Sequence, residues 1–345
     1  MNKKYFLPAV CAWLAAAATA AALDSIKTKS GSVLCKVVAS SPLKVDVEQG
    51  ANADHKEIAV NQIDTIYYSE EPASLKSAKN DILAGRDEEA LNLLARLKTD
   101  AITRKELRED IEFYTALAGA RLAVEGTGKI VDAGRLMIAF IKNYPDSYHY
   151  FQACQTVGDL LAANRSFAQA EEYYARLAKA PWADYQMRAG VAIGRALLEN
   201  GKFPEALDAF DKVLAKPADD SLSRTQNRAA VLGKAAVLVA LKKNDEAIAL
   251  ANSFLKSADP DDSAGMARAY NVLGGALSQQ GKTKEAVLAF LHVDLLYPTP
   301  PDAHAEALYN LARLWDDLHK TDRAARARQI LEQQYKNTPW AQKAE

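Results

Sequence analysis

The sequence predicts a mainly α-helical chain: an α-solenoid of about seven helix–turn–helix repeats, preceded by a small antiparallel β-barrel or meander. Three observations carry this. Apolar residues alternate with period two across residues 24–70, then follow helical spacing from Ser74 onward. Residues 200–210, NGKFPEALDAF, and 280–290, QGKTKEAVLAF, share the frame Gly-Lys-x-x-Glu-Ala-x-x-Ala-Phe. Alanines at the same place in that frame recur along most of the chain.

The first residues stand outside this fold. Lys3 and Lys4 precede an apolar run from Tyr5 to about Ala18, and the small residues Ala20, Ala21 and Ala22 follow. That order is a secretory signal peptide with cleavage after Ala22, so the protein is expected to be periplasmic or secreted. The apolar part is shorter than the roughly 20 residues a membrane span needs, which favours export over a retained anchor. Cys11 is not a lipoprotein cysteine, because LPAVC lacks the small residue expected just before it. No later stretch approaches 18 uninterrupted apolar residues, so the rest reads as a soluble chain without an integral membrane segment.

Composition narrows the partners. The 345 residues carry 43 basic and 44 acidic side chains, a net charge of -1. Such a balance gives no pull toward nucleic acid and no strong charge-driven membrane binding. Hydrophobic residues make up 49%, enough for a folded core. After cleavage only Cys35 and Cys154 remain. Two cysteines in different segments form no disulfide framework, and both are expected reduced and buried.

Strands come first. Val33, Cys35 and Val37 alternate with Ser32, Leu34 and Lys36; Val45 and Val47 repeat the pattern, and EIAVNQIDTIYYS supplies a β-branched and aromatic run. Ser30-Gly31, Ser41-Pro42 and Gly50-Ala51-Asn52 separate these runs as turns. The expected division is therefore a signal segment at 1–22, a small β-domain at 23–72 and repeats at 73–345.

The helical part repeats. In the two stretches quoted, Ala206 is followed by Phe210 and Ala286 by Phe290, and twelve residues before each alanine stand Gly194 and Gly274. Gly158, Ala170 and Tyr174 repeat this spacing; Ala235 with Ala247, Ala312 with Ala324 and Ala78 with Ala90 repeat it without the aromatic. Ala133 centres a further unit with a longer turn. The intervals between Ala90, Ala133, Ala170, Ala206, Ala247, Ala286 and Ala324 are 43, 37, 36, 41, 39 and 38 residues. Small residues on facing helices predict antiparallel pairs in close approach.

This frame resembles the tetratricopeptide repeat family. YNVLGGALSQQGKTKEAVLAFLHVDLLYP carries the resemblance most fully, with Leu273-Gly274 in a first helix, Ala286 and Phe290 in a second, and Pro298 closing the unit. Pro145, Pro181 and Pro339 end other units in the same way. The likeness covers residues 74–345. The family's usual period is about 34 residues; here it is longer, which predicts longer helices or longer loops such as KPADDSLSRTQ and KSADPDDSAG. The stretched form is similar to repeat proteins of bacterial cell-envelope assembly. Residues 24–70, with Ile63 and Ile66 as a closing pair, resemble the small Sm-like or SH3-like barrels placed at the front of secreted bacterial repeat proteins.

Catalytic and metal-binding patterns are missing from the sequence. The histidines at 55, 149, 292, 304 and 319 form no His-x-x-x-His pair and have no cysteine nearby, so no metal is expected. GTGK at 126–129 lacks the rest of a phosphate loop, and DPDD at 259–262 lacks the alternation of a calcium loop. Lys27, Lys29, Asp46, Glu48, Asp54, His55 and Asp64 of the β-domain form no acid–base pair at telling spacing. The chain therefore reads as a non-enzyme without a cofactor. A binder of glycan or peptidoglycan would need aromatic platforms, for which Tyr67, Tyr68 and Trp182 are the candidates.

What remains is a binding surface. The resemblance implies that first helices line a concave face where peptides or proteins bind. Carried over unit by unit, the exposed first-helix positions are Gln152, Gln155 and Asp159, then Arg188 and Arg195, Arg268 and Asn271, and Asn310 and Arg313. Arginine and asparagine suit the carbonyls and carboxylates of an extended peptide. The family's Lys and Asn carboxylate clamp is absent, so the resemblance gives no support for capture of a free peptide C-terminus.

Overall fold

The computed structural model describes residues 23–50, 52–336 and 338–344. The expected signal segment, residues 1–22, lies outside the described residues.

Five strands open the chain: β1 (Asp24–Thr28), β2 (Gly31–Ser40), β3 (Lys44–Gln49), β4 (Asp54–Ala59) and β5 (Ile63–Tyr67). All pair antiparallel in the order β4-β3-β2-β1-β5. The alternation sorts the faces as it should: Cys35, Val45 and Val47 are buried with Ile26 and Ile66, while Leu34 faces outward at 61% exposure. A 3-10 turn at Val60–Gln62 brings β5 back to β1, and β4 does not pair with β5. The sheet is open. The closed barrel is thus corrected to a four-strand meander with a fifth strand on its far edge. Helices cover the apolar face instead: Ile66 and Val47 belong to one hydrophobic cluster with Leu75, Leu107, Phe113 and Phe140.

Helices follow as pairs. The first three are α1 (Ala73–Leu83) with α2 (Asp87–Leu94), α3 (Lys105–Val124) with α4 (Ile130–Asn143), and α5 (Tyr150–Ala163) with α6 (Phe167–Leu177). Next come α7 (Ala183–Glu199) with α8 (Phe203–Leu214) and α9 (Ser221–Ala240) with α10 (Asn244–Ser257). Then α11 (Ser263–Gln279) pairs α12 (Thr283–Leu296), α13 (Pro301–Asp317) pairs α14 (Thr321–Tyr335), and α15 (Pro339–Ala344) follows. The seven marker alanines each fall in a second helix, and all are buried.

The mid-helix glycines have a specific cause. A Cβ on Gly194 would lie 2.8 Å from the Phe210 ring, and one on Gly274 would lie 2.7 Å from Phe290. Gly158 stands in the same relation to Tyr174 at 2.4 Å. The aromatic of the second helix occupies the place of the missing side chain on the first. Where that aromatic is absent, as at Ala251 beside Ala235, the small residue reverts to alanine, which fits a helix better by about 1 kcal/mol.

Each helix pair turns through one left-handed residue: Gly85, Gly126, Arg165, Gly201, Lys242, Gly281 and His319 all have positive φ. The next N–H then bonds back to the helix end, as in Lys202 N to Leu197 O at 2.9 Å and Lys282 N to Leu277 O at 3.0 Å. This is the cap that ends a helix by satisfying its last carbonyls. It explains the Gly-Lys of the shared frame. Glu205 and Glu285, in the first turn of the next helix, complement its dipole.

The extra period length sits mostly in the helices. First helices run to 17 residues in α7, α11 and α13 and to 20 in α3 and α9. Most of KPADDSLSRTQ lies in α9, and Asp262 of KSADPDDSAG caps α11 by accepting from the Gly265 amide. First helices of neighbouring units pack on one another, whereas second helices of neighbouring units make no comparable contact. The array therefore curves with its first helices inside.

The sheet is fastened to the solenoid by polar contacts. Asp24 takes both guanidinium nitrogens of Arg104 at 3.1 Å, the Thr65 hydroxyl meets Tyr114 at 2.9 Å, and Asn61 donates to Asp184 of α7 at 3.2 Å. Lys79, with no exposure, pairs with Glu71 and Asp110 and donates to the Ile66 carbonyl at 2.7 Å.

Candidate functional site

The inner wall gathers ionisable groups from distant parts of the sequence. Arg195 of α7, Arg268 and Asn271 of α11, and Asp302 and Glu306 of α13 line one pocket of about 260 Å³, whose base is α9. Curvature is what joins them, because α7 and α13 belong to the fourth and seventh units.

Of the sequence-predicted residues, Arg195, Arg268 and Asn271 line this pocket. Arg268 lies 3.3 Å from Asp302 in an exposed ion pair. Arg195 is half-buried, and burial first, then the neighbouring Arg268, lowers its guanidinium to about 10. Asn271 is not at an exposed position. It is 4% exposed and ties α11 to α13 through the Ala303 carbonyl at 2.8 Å and the Glu306 carboxylate at 3.1 Å. A first helix between two neighbours has a flank as well as an inner face, and spacing alone does not separate them.

Arg188, Asp159 and Gln155 flank the pocket on α7 and α5. Arg188 lies over the Tyr185 ring at 4.9 Å, and Asp159 accepts from the Tyr174 hydroxyl at 2.9 Å and from Gln155. Asp159 reaches solvent but is ringed by the concave wall, and that burial raises its pKa against the opposing pull of Tyr174 and Arg195. Gln152 is exposed on the same helix. Asn310 and Arg313 lie further along α13, outside the pocket. Asn310 donates to the Glu306 carbonyl of its own helix at 2.9 Å, and Arg313 lies 5.9 Å from the Tyr309 ring.

Sequence reasoning missed the two carboxylates that line the pocket, Asp302 and Glu306. Burial and the adjacent Asp302 push Glu306 up to about 7, opposed by Asn271, Lys343 and Arg268. Burial also raises Glu199, which feels Arg165, Arg195, Asp302 and Lys343. The available signal was position: Asp302 and Glu306 are one turn apart on a first helix, as Arg188 and Arg195 are two turns apart.

A second cavity, of about 350 Å³, lies between the β5–α1 and α2–α3 connections, and its Arg104 is bound to Asp24. Tyr68 is buried, the Tyr67 hydroxyl donates to Asn80 at 2.6 Å, and Trp182 packs edge-on against Tyr185 at 5.2 Å. None of the three is an open stacking platform. Cys35 and Cys154 are buried and unbridged.

Tetratricopeptide repeat models match residues 157–221, 191–263 and 267–300. The chain contains tetratricopeptide repeats. The matched units are α5 to α12, and α1 to α4 and α13 to α14 continue the same helix pairing beyond them. No curated protein matches the sequence. Among solved structures, a tetratricopeptide repeat protein from Parabacteroides merdae is similar over 79% of this chain and 95% of its own, at 15% identity and a TM-score of 0.57. A Rap protein complexed with Competence and Sporulation Factor is similar over 77% of this chain and 76% of its own, at 14% identity and a TM-score of 0.55. These likenesses are likenesses of fold. Among the described residues no helix is long and apolar enough to cross a membrane.

Proposed function

We propose that this chain is a non-enzymatic scaffold that holds a protein or peptide partner on its concave face, in the periplasm or secreted space of a bacterial envelope. The observation that carries the reading is the inner wall itself. Repeats from the fourth to the seventh unit turn arginine, asparagine and carboxylate groups toward one apolar-based pocket. Surface charges spread at random would instead pair locally or face solvent. The Rap protein, similar in fold, was solved with Competence and Sporulation Factor, which supports such a curved array as a surface for a ligand. Export rests on the order of charge, apolar run and small residues in 1–22.

Photo-crosslinking in envelope fractions of the native host tests this. A crosslinking residue placed at Arg188 or Arg313 should capture a partner, while one at Lys284, exposed on the second helix α12, should not. Capture only from Lys284 would place the partner on the outer side. Intact mass of the exported protein should begin at Leu23, and retention of Met1 would contradict cleavage.

A further inference from the structure

The turn between β4 and β5 reaches along the array to the fourth repeat. Asn61, in the middle of that turn, donates from Nδ2 to Asp184 Oδ1 at 3.2 Å, across 123 positions of sequence. Asp184 stands in the first turn of α7 and is 3% exposed. This bond uses one polar atom of each side chain. The two that remain, Asn61 Oδ1 and Asp184 Oδ2, are both buried and both lack a partner. With Asp184 ionised, each of them can only accept. Two orphaned acceptors in one buried contact are costly and uncommon in folded proteins.

A single proton removes that cost. Protonated on Oδ2, Asp184 donates to Asn61 Oδ1 while Asn61 Nδ2 keeps its bond to Asp184 Oδ1. Carboxyl and carboxamide then close a ring of two hydrogen bonds, and neither oxygen is left over. Turning the Asn61 amide over does not rescue the ionised form, because its oxygen would then meet a carboxylate oxygen.

The groups facing Asp184 come from three elements. Burial disfavours its anion most, and Asp220, the N-cap of α9, adds like charge; Asn61 from the sheet, Arg188 on α7 and the Tyr185 amide oppose them, and the balance raises the carboxyl above its usual value. Trp182 and Tyr185, edge-on to each other at 5.2 Å, add no charge. An ionised Asp184 has another partner at hand. Arg188 lies one helical turn on, over the Tyr185 ring at 4.9 Å, and the i,i+4 spacing lets its guanidinium meet the carboxylate.

We infer that Asn61 and Asp184 form a proton-held clasp between the sheet and the fourth repeat, closed while Asp184 carries a proton and released when it ionises toward Arg188. The clasp stands independently of the concave-face reading. Its sign follows from linkage. A carboxyl whose pKa is higher in the closed clasp than in the open one takes up a proton on closing. Closure is therefore strongest below the usual carboxylate value of about 4 and weakens as pH rises through the raised value, at most about tenfold per unit. Asp24 with Arg104 and Thr65 with Tyr114 hold the sheet elsewhere, so release frees the tip and not the whole sheet.

NMR of the purified protein tests this with two readouts. The side-chain carboxyl carbon of Asp184, assigned by its loss in Asp184→Asn, reports the protonation. Solvent exchange of the Asn61 side-chain amide reports the clasp. Asp184→Asn puts an amide of the same shape in place of the acid and keeps both bonds at every pH, so it sets the reference for ordinary base-catalysed exchange. Asp184 should titrate above the usual carboxylate value. Through that titration, Asn61 exchange in wild type should accelerate relative to Asp184→Asn by up to about tenfold per pH unit. Asn61→Ala should bring the Asp184 titration down, because the ring that favours the acid is gone. Titration of Asp184 at or below the usual value means that its free oxygen is hydrated, and overturns the proposal. So does Asn61 exchange that runs parallel in wild type and Asp184→Asn at every pH, or an Asp184 titration that stays or rises in Asn61→Ala, the result expected if Asn61 only donates to an anion.

Discussion

Lys242 sits in the left-handed conformation, φ 61°, at the turn position that Gly201 and Gly281 fill in neighbouring units. A side chain there costs on the order of 1 kcal/mol, which a glycine avoids at the expense of a more flexible unfolded chain. Lys242→Gly should therefore raise stability by about 0.5–1 kcal/mol, read as a higher denaturation midpoint with unchanged m-value. Gly194 tests the opposite relation. Its missing Cβ is the space taken by Phe210, so Gly194→Ala should destabilise by about 1–3 kcal/mol despite alanine's better helix propensity. Adding Phe210→Leu should recover part of that loss. Independent, additive effects in the double-mutant cycle would show that the two residues do not share one space.

At the scale of elements, the sheet and the first helix pairs hold one buried polar cluster. Lys79 of α1 neutralises Glu71 and Asp110, and Asp110 also accepts from His149 at 2.9 Å, whose ring stacks on Phe113 at 3.7 Å. Burial favours the neutral form of Asp110, but Lys79 and His149 outweigh it and hold the carboxyl below the usual range. Lys79→Met would leave two buried carboxylates without their cation, at about 3–5 kcal/mol. Adding Glu71→Gln and Asp110→Asn should return part of the stability. If Lys79→Met alone changes the unfolding midpoint no more than a surface substitution, the cluster is not what fastens the sheet. Nothing in the sequence pointed to this cluster. Its bonded pairs lie 8 to 39 residues apart on four different segments, and lysine inside a helical pattern reads as a surface residue. The repeats were legible for the opposite reason: Ala206 and Ala286, with Gly201 and Gly281 before them, answer to local geometry that recurs in every unit. The open sheet was half legible. Alternation showed which face of β2 is apolar, but not that helices rather than further strands would cover it.

Across the whole molecule, stacking and curvature decide what the repeats can do. First helices pack unit to unit and second helices do not, so the inner wall converges while the outer one spreads. Convergence is how Arg195 and Asp302, 107 positions apart in sequence, come to line the same pocket. Arg195 and Arg268, both named from their first-helix positions in the sequence, line that wall. It did not separate Asn271, which bridges two helices, or reveal Glu306, whose importance comes from burial beside Asp302. The claim that this wall is the partner surface is tested most directly by binding. With the crosslinked partner purified, its affinity should be measured for wild type, Arg195→Ala and Lys284→Ala, alongside the folding stability of each. Arg195→Ala should weaken binding by about 1–3 kcal/mol while stability moves by about 0.5 kcal/mol or less, and Lys284→Ala should change neither. Wild-type affinity in Arg195→Ala together with a loss in Lys284→Ala would contradict the account and move the partner to the outer helices.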